Sequence, residues 1–303
     1  MEIIPVIPRG YCKGVVRAIN LAKETAQKYP NTPITMLGMI VHNQYVVEAC
    51  EKLGIHCIEE KGKTRLELLD KINDGIVIFT AHGVSEEVIK KAQQKGLITI
   101  DASCDDVTKT QSIVKDYLEN NYDVLYIGKK NHPEAEAVVA ISPHVHFIET
   151  EQDLDNLPSF NKVMITNQTT MSIFEIYKIL EACKQKYADV EILDEICNAT
   201  RIRQEAIMKL ENIDCLLVVG DPKSNNSNKL KEIALERNIP AVYLLETAKD
   251  IEEEWIKDKN RIAVTSGAST PTYLTNQVIK MLQHYAETTE LIKPEIDINQ
   301  LLD

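Results

Sequence analysis

Apolar runs of strand length alternate with helix-periodic stretches along the whole chain, a pattern that predicts an α/β protein with mostly parallel sheets. The alternation itself repeats. Cys12, Cys104 and Cys197 stand 92 and 93 residues apart. Each follows an apolar stretch (2–7, 97–100 and 190–196) and precedes a predicted helix (15–29, 106–120 and 200–211). A second set of predicted strands keeps the period: 34–38, 124–128 and 216–220. These run into the polar loops Val41-His42-Asn43, Lys130-Asn131-His132-Pro133-Glu134 and Ser224-Asn225-Asn226-Ser227-Asn228, and a helix is expected after each. Three short strands ending in an acid come next, at 56–59, 146–149 and 242–246. The last strand of each third, at 76–79, 163–165 and 262–264, leads into Ala81-His82-Gly83-Val84-Ser85, Asn167-Gln168-Thr169-Thr170 and Ser266-Gly267-Ala268-Ser269-Thr270. Ser or Thr near the end of each loop marks a helix start.

Each third therefore carries about four strands and offers three polar loops at strand carboxyl ends, where open α/β sheets place their ligand sites. The expected architecture is three pseudo-equivalent α/β lobes with mostly parallel four-stranded sheets, at 1–103, 104–196 and 197–303. The N-terminal strand, 1–12, is a candidate to pair with the third lobe. The polar segment after Tyr285 reads as a loosely held tail.

Composition narrows the function. No apolar run approaches the roughly 18–20 residues that span a bilayer, and the start, Met1-Glu2-Ile3, lacks the basic and apolar regions of a signal peptide. The expectation is a cytoplasmic protein that uses no membrane. Its formal charge of −12, from 46 acidic and 34 basic residues, argues against a broad nucleic-acid surface. It leaves room for a small anion held locally by helix starts, histidines and hydroxyls. In a reducing compartment seven cysteines point to metal or catalysis rather than disulfides.

A cysteine at a strand-to-helix turn meets unpaired amides and the positive end of the helix dipole, which favour a thiolate. Three such thiols on one period, with no fourth and no Cys-x-x-Cys pair, suit an incomplete coordination sphere better than closed structural zinc. A 4Fe–4S cluster on three cysteines leaves one iron open. Cys50, Cys57, Cys183 and Cys215 fall inside helix or strand patterns and read as core. His42, His82 and His132 occupy strand-end loops, with Ser224, Asn226, Thr169 and Ser269 as neutral donors; together they suit phosphate oxygens. Glu134 is the candidate proton donor. His56, His144, His146 and His284 lie outside the pattern, and Glu136, Asp105 and Asp106 read as solvent or cap residues.

Several of these segments, in the same order, resemble the LytB/IspH family of 4-hydroxy-3-methylbut-2-enyl diphosphate reductases. They are Pro8-Arg9-Gly10-Tyr11-Cys12, Val41-His42-Asn43, Ala81-His82-Gly83-Val84-Ser85, His132-Pro133-Glu134, Gln168-Thr169-Thr170, Cys197-Asn198-Ala199-Thr200 with Arg203-Gln204-Glu205-Ala206, and Ser266-Gly267-Ala268-Ser269. The resemblance runs to about Tyr285. It implies a cloverleaf of three lobes around one 4Fe–4S cluster held by Cys12, Cys104 and Cys197. It implies diphosphate binding by His42, His82, His132, Ser224, Asn226 and Ser269. Glu134 would supply the proton for loss of the substrate hydroxyl, Thr169 would position that hydroxyl and relay protons, and His132 is grouped with this catalytic pair. The family commonly has Ser-Ser-Asn where this chain has Ser224-Asn225-Asn226; the Asn225 amide can still donate, so it is kept among the substrate ligands. The implied reaction is a two-electron reductive dehydration giving isopentenyl and dimethylallyl diphosphate. The implied partners are an allylic diphosphate and a ferredoxin or flavodoxin, with the enzyme acting as a monomer. Short of the resemblance, the residues also fit an iron–sulfur enzyme of quinolinate synthase type, or a non-catalytic iron–sulfur sensor or zinc-binding module.

Overall fold

The computed structural model describes residues 1–302. Its strands form three four-stranded sheets, every pair parallel. The chain opens with β1 (Glu2–Pro5) and α1 (Lys13–Lys28). The next run is β2 (Ile34–Leu37), α2 (Gln44–Lys52), β3 (Ile55–Ile58), α3 (Arg65–Leu69), β4 (Ile76–Phe79), α4 (Glu86–Gln94) and β5 (Ile98–Asp101). After α5 (Asp105–Glu119) come β6 (Asp123–Ile127), α6 (Pro133–Val139), β7 (Val145–Ile148), β8 (Val163–Asn167), α7 (Ile173–Lys186) and β9 (Val190–Ile192). The last third holds α8 (Asn198–Met208), β10 (Cys215–Val219), α9 (Asn225–Glu236), β11 (Val242–Leu245), α10 (Glu253–Ile256), β12 (Arg261–Ser266) and α11 (Thr272–Thr288).

Spatial order in the sheets is β3-β2-β4-β5, β7-β6-β8-β9 and β11-β10-β12-β1. The three orders are the same if β1 stands as the fourth strand of the last sheet. The repeat is therefore closed by the chain's own beginning: Glu2 to Pro5 pair with Arg261 to Val264. Central strands such as β4 and β10 are buried at every position, which explains their unbroken apolar runs. The edge strands β1, β5 and β9 are half exposed, and each leads to one of the three periodic cysteines.

Two compact units divide the chain. One comprises Met1–Val16, Val41–Ala49 and the segment from Asn198 on; the other comprises Arg17–Ile40 and Cys50–Cys197. The first contains the β1-containing sheet. The second contains the other two sheets, each with its own buried cluster: Leu37, Leu68, Val77 and Phe79 in one, Leu125, Ile148, Ile165 and Ile179 in the other. Burying each such side chain contributes roughly 1.5–3 kcal/mol.

Three expectations need correction. The apolar stretch 190–196 is a strand only to Ile192; Ile196 is buried in the core without joining the ladder. Strands β8 and β12 run past their apolar residues, because Asn167 and Ser266 continue the backbone pairing with Ile127 and Val219. The tail is not loose. Leu301 and Leu302 are buried, and the Tyr11 hydroxyl donates to the Leu301 carbonyl at 2.6 Å. Gln277 Nε2 donates to the Glu295 carbonyl at 2.8 Å, within the same unit. Two buried leucines and a set of polar bonds at Glu295 and Asp297 hold this segment in place. Among the described residues no helix is long and apolar enough to cross a membrane.

Candidate active site

The cysteines sort by environment. Cys104 is the N-cap residue of α5, and Cys12 and Cys197 immediately precede α1 and α8. All three are half-buried. Their backbone amides are fixed in one common way. Cys12 N–H donates to the Ala268 carbonyl, Cys104 N–H to Ala81 and Cys197 N–H to Thr169, each at 3.0 Å. In each sheet the acceptor sits in the loop after the strand beside the cysteine's own edge strand: β12 beside β1, β4 beside β5, β8 beside β9. The ladder thus sets where each thiol begins. The other cysteines lie within elements: Cys50 in α2, Cys57 in β3, Cys183 in α7 and Cys215 in β10. Burial pushes the thiols of Cys50 and Cys57 up to about 12 and those of Cys183 and Cys215 to about 11, so they stay protonated. Cys57 also donates to the Gly38 carbonyl at 3.2 Å.

The larger unit gathers His82, His132, Glu134 and Thr169. His132 caps α6, and its Nδ1 accepts the Glu134 amide at 3.2 Å. In the neutral ring that leaves the proton on Nε2, a donor suited to an anion. The His82 and His132 rings meet edge to face, with centroids 5.4 Å apart. His82 Nδ1 is 3.3 Å from the Thr80 hydroxyl. Pro133 at the first helical position places Glu134 in the first turn of α6, where its carboxyl is 1% exposed. Thr169 grips both oxygens: its amide donates to Oε1 at 2.8 Å and its hydroxyl to Oε2 at 3.0 Å. The Tyr126 hydroxyl adds a longer bond to Oε1, 3.4 Å. Burial raises the Glu134 carboxyl to about 7, against the lowering effect of these three donors. Glu134 can therefore hold a proton near neutral pH and release it.

The smaller unit gathers His42, Ser224, Asn225, Asn226 and Ser269. Asn43 caps α2, accepting the Val46 amide at 3.1 Å, and so fixes the His42 loop. Ser224 caps α9 and lies 3.3 Å from Ser269, hydroxyl to hydroxyl. Ser269 donates to the His42 carbonyl at 3.3 Å. Asn225 is the first residue of α9 and half-buried. Asn226 is spoken for on both sides: its Nδ2 donates to Thr200 at 3.0 Å and its Oδ1 accepts the Ala268 amide at 3.2 Å.

Some residues that support these groups escaped the sequence reading. Tyr126 sits in a buried strand, where only its lone hydroxyl among aliphatic neighbours hints at a polar duty. Gln168 positions the His132 loop by accepting the Lys129 amide at 2.9 Å. Thr200 anchors Asn226. Glu136 is neither a solvent residue nor a cap of its own helix: it accepts the Arg65 amide at 2.8 Å, at the start of α3. His144 and His146 each sit 3.1 Å from Asp123, away from these groups.

These features define the class: an α/β protein of three parallel sheets whose histidines, hydroxyls and buried carboxyl collect at strand carboxyl ends, with three half-buried cysteines at helix starts. The chain belongs to the LytB protein family, whose model matches residues 3–283. It is 48% identical over 290 residues to the 4-hydroxy-3-methylbut-2-enyl diphosphate reductase of Anoxybacillus flavithermus, covering 94% of this chain and 91% of that protein. To the reductase of the same name from Bacillus subtilis it is 47% identical over 289 residues, with the same coverage. A solved reductase structure from Plasmodium falciparum is similar with a TM-score of 0.86 and 36% identity, over 93% of this chain and 88% of that one. A second, described as the terminal enzyme of the non-mevalonate pathway, gives 0.67 and 29%, over 94% and 100%. These likenesses do not favour a quinolinate synthase-type enzyme or a sensor.

Proposed function

We propose that this chain catalyses the two-electron reductive dehydration of (E)-4-hydroxy-3-methylbut-2-enyl diphosphate to isopentenyl and dimethylallyl diphosphate. The observation that carries the reading is likeness, along nearly the whole chain, to proteins bearing that reductase name. The donor set supports a thiolate-ligated iron group. Three half-buried cysteines stand at helix starts, while burial holds the other four protonated in strands and helices. Cys12, Cys104 and Cys197 would hold one 4Fe–4S cluster. When bound, that group supplies single electrons and a Lewis-acid centre.

The chain's own residues do the rest. His42, His82 and His132 offer ring N–H donors to the diphosphate; Ser224 and Asn225 offer neutral ones, Asn226 the second hydrogen of its amide, and Ser269 its hydroxyl in exchange for the His42 carbonyl. Neutral donors and helix starts hold the anion without a lysine or arginine clamp. Thr169 orients the substrate hydroxyl and passes a proton between it and Glu134. Glu134 gives its proton to the leaving oxygen. The carbon–oxygen bond breaks, water departs, and the allylic fragment takes up two electrons and a second proton. Electrons come one at a time from a small carrier of the ferredoxin or flavodoxin type. The chain acts as a cytoplasmic monomer. Anaerobic reconstitution tests the proposal. The chain should take up iron and sulfide, gain visible absorbance, and consume the hydroxylated diphosphate when given a reductant. A colourless, iron-free protein after reconstitution would overturn it.

A further inference from the structure

Five or six residues after each periodic cysteine, inside the helix it opens, stands a basic side chain: Arg17 after Cys12, Lys109 after Cys104, Arg203 after Cys197. Each reaches the loop of a different cysteine. Arg17 Nη1 donates to the Ser103 carbonyl at 2.7 Å and to Asp105 at 2.8 Å, on either side of Cys104. Lys109 Nζ donates to both carboxylate oxygens of Glu195, at 3.2 and 3.0 Å, two residues before Cys197. Arg203 Nη2 donates to the Gly10 carbonyl at 2.7 Å, two residues before Cys12. Each of these bonds lies within one compact unit. Their order along the chain is cyclic: the Cys12 helix serves Cys104, the Cys104 helix serves Cys197, and the Cys197 helix serves Cys12.

The opposite side of each loop is held as well, by a polar residue at a strand end. The Gly10 amide donates to Ser266 at 2.7 Å, the Ser103 amide to Asp101 at 2.9 Å and the Glu195 amide to Asn167 at 3.2 Å. Gly10 has φ +77°, and a Cβ there would come within 2.2 Å of the Thr272 hydroxyl, so this loop admits little else. A loop pinned from two sides loses the freedom that a lone cysteine turn would keep.

We propose that Arg17, Lys109 and Arg203 are positioning residues, each holding the loop of the next cysteine so that its thiol is presented to a metal group. The proposal rests on the reading of these cysteines as ligands. None of the three basic residues is placed in contact with substrate.

The test uses the full-length chain with Arg17→Gln, Lys109→Gln and Arg203→Gln, and with Lys63→Gln as a control. Lys63 is exposed and pairs with Glu67 near the start of α3. The cluster-free chain is alkylated with iodoacetamide and each cysteine is followed by mass spectrometry. Arg17→Gln should speed labelling of Cys104, and Lys109→Gln that of Cys197, by about two- to fivefold, the scale of an exposed ion pair. Arg203→Gln should speed labelling of Cys12 by on the order of tenfold, as befits a buried charged donor, with Arg203→Lys restoring part of the protection. Release of iron to a chelator from reconstituted protein should quicken in all three, with the control at the wild-type rate. The two exposed variants should melt with the wild type, so the result does not depend on Arg203. Labelling that rises at the variant's own cysteine, equally at all three, or nowhere would overturn the proposal. A wild-type chain that takes up no iron would instead overturn the functional reading, and the labelling pattern would still decide the cyclic assignment.

Discussion

The starts of α6 and α9 are the same device put to opposite uses. Each follows the second strand of its sheet. Each opens on a capping side chain, His132 in one and Ser224 in the other. Two residues on, Glu134 and Asn226 turn inward and are buried. Both accept an amide from the loop after the neighbouring strand: Thr169 for Glu134 at 2.8 Å, Ala268 for Asn226 at 3.2 Å. Those two residues are themselves equivalent, since their carbonyls take the amides of Cys197 and Cys12. One backbone arrangement therefore presents a carboxyl in one sheet and an amide in the other. The carboxyl titrates, and burial brings it to about 7. The amide cannot titrate at any ordinary pH. The scaffold places the group; the residue type decides whether it can titrate or only fix a loop.

The comparison can be broken most severely at the carboxyl. Glu134→Gln keeps the shape and removes the proton, so kcat should fall by roughly 10²–10⁴, with diphosphate inhibitors still binding. Steady-state kinetics with a chemical reductant measures this, and unchanged turnover would remove Glu134 from the reaction. The pH dependence carries a definite sign. The folded carboxyl titrates near 7, above the usual 4.5. Its protonated form, and the turnover that needs it, should be lost as pH rises through about 7. The stability linked to that proton is fully present below about 4.5 and is lost as pH rises through about 7. Denaturant unfolding from pH 5 to 8 should show this decline in the wild type and a flatter curve in the Gln variant.

Thr169→Val comes next. It keeps the amide bond and deletes the hydroxyl, costing on the order of 1–3 kcal/mol for the donor lost to a buried carboxyl. Because that hydroxyl lowers the Glu134 pKa, its removal should move the alkaline limb of the rate profile to higher pH while kcat falls. A limb that moves down would contradict the assignment. Asn226→Ala tests the other arm. Loss of both amide partners should lower stability by about 1–3 kcal/mol and raise KM for the diphosphate, with the position of the alkaline limb unmoved. A shifted limb would mean that the two helix starts are not separable. The smallest effect belongs to Tyr126→Phe. Its 3.4 Å bond is long, so less than about 1 kcal/mol should be lost, with a slight upward move of the limb.

The fold was legible because its cause is local. Unbroken apolar runs, polar loops and helix caps recur on one period, and period and length are enough to call for parallel α/β sheets. The edges were less legible. Leu193 and Ile196 look like strand residues, yet the ladder stops at Ile192. Leu301 and Leu302 look like the end of a polar tail, yet they are buried. Backbone pairing and docking depend on what lies opposite, which no local window contains. The candidate site divides in the same way. His132, Glu134, Thr169, Ser224 and Asn226 stand out as polar groups at strand ends. Gln168 and Thr200 do not, because each acts through a partner more than two dozen residues away, and Tyr126 does not, because its hydroxyl sits in a buried apolar strand.

What the amino-acid order determined by itself was the triplication and the three cysteines that ride on it, since both are matters of spacing and side-chain type. Tertiary structure decided which strand closes the last sheet, which carbonyl holds each cysteine amide, and how deeply Glu134 is buried. The last of these sets its chemistry. A carboxyl in a loop is an ordinary acid; sealed behind Tyr126 and Thr169, the same group keeps its proton to about pH 7. Desolvation is a property of everything packed around an atom, and only the folded chain supplies it.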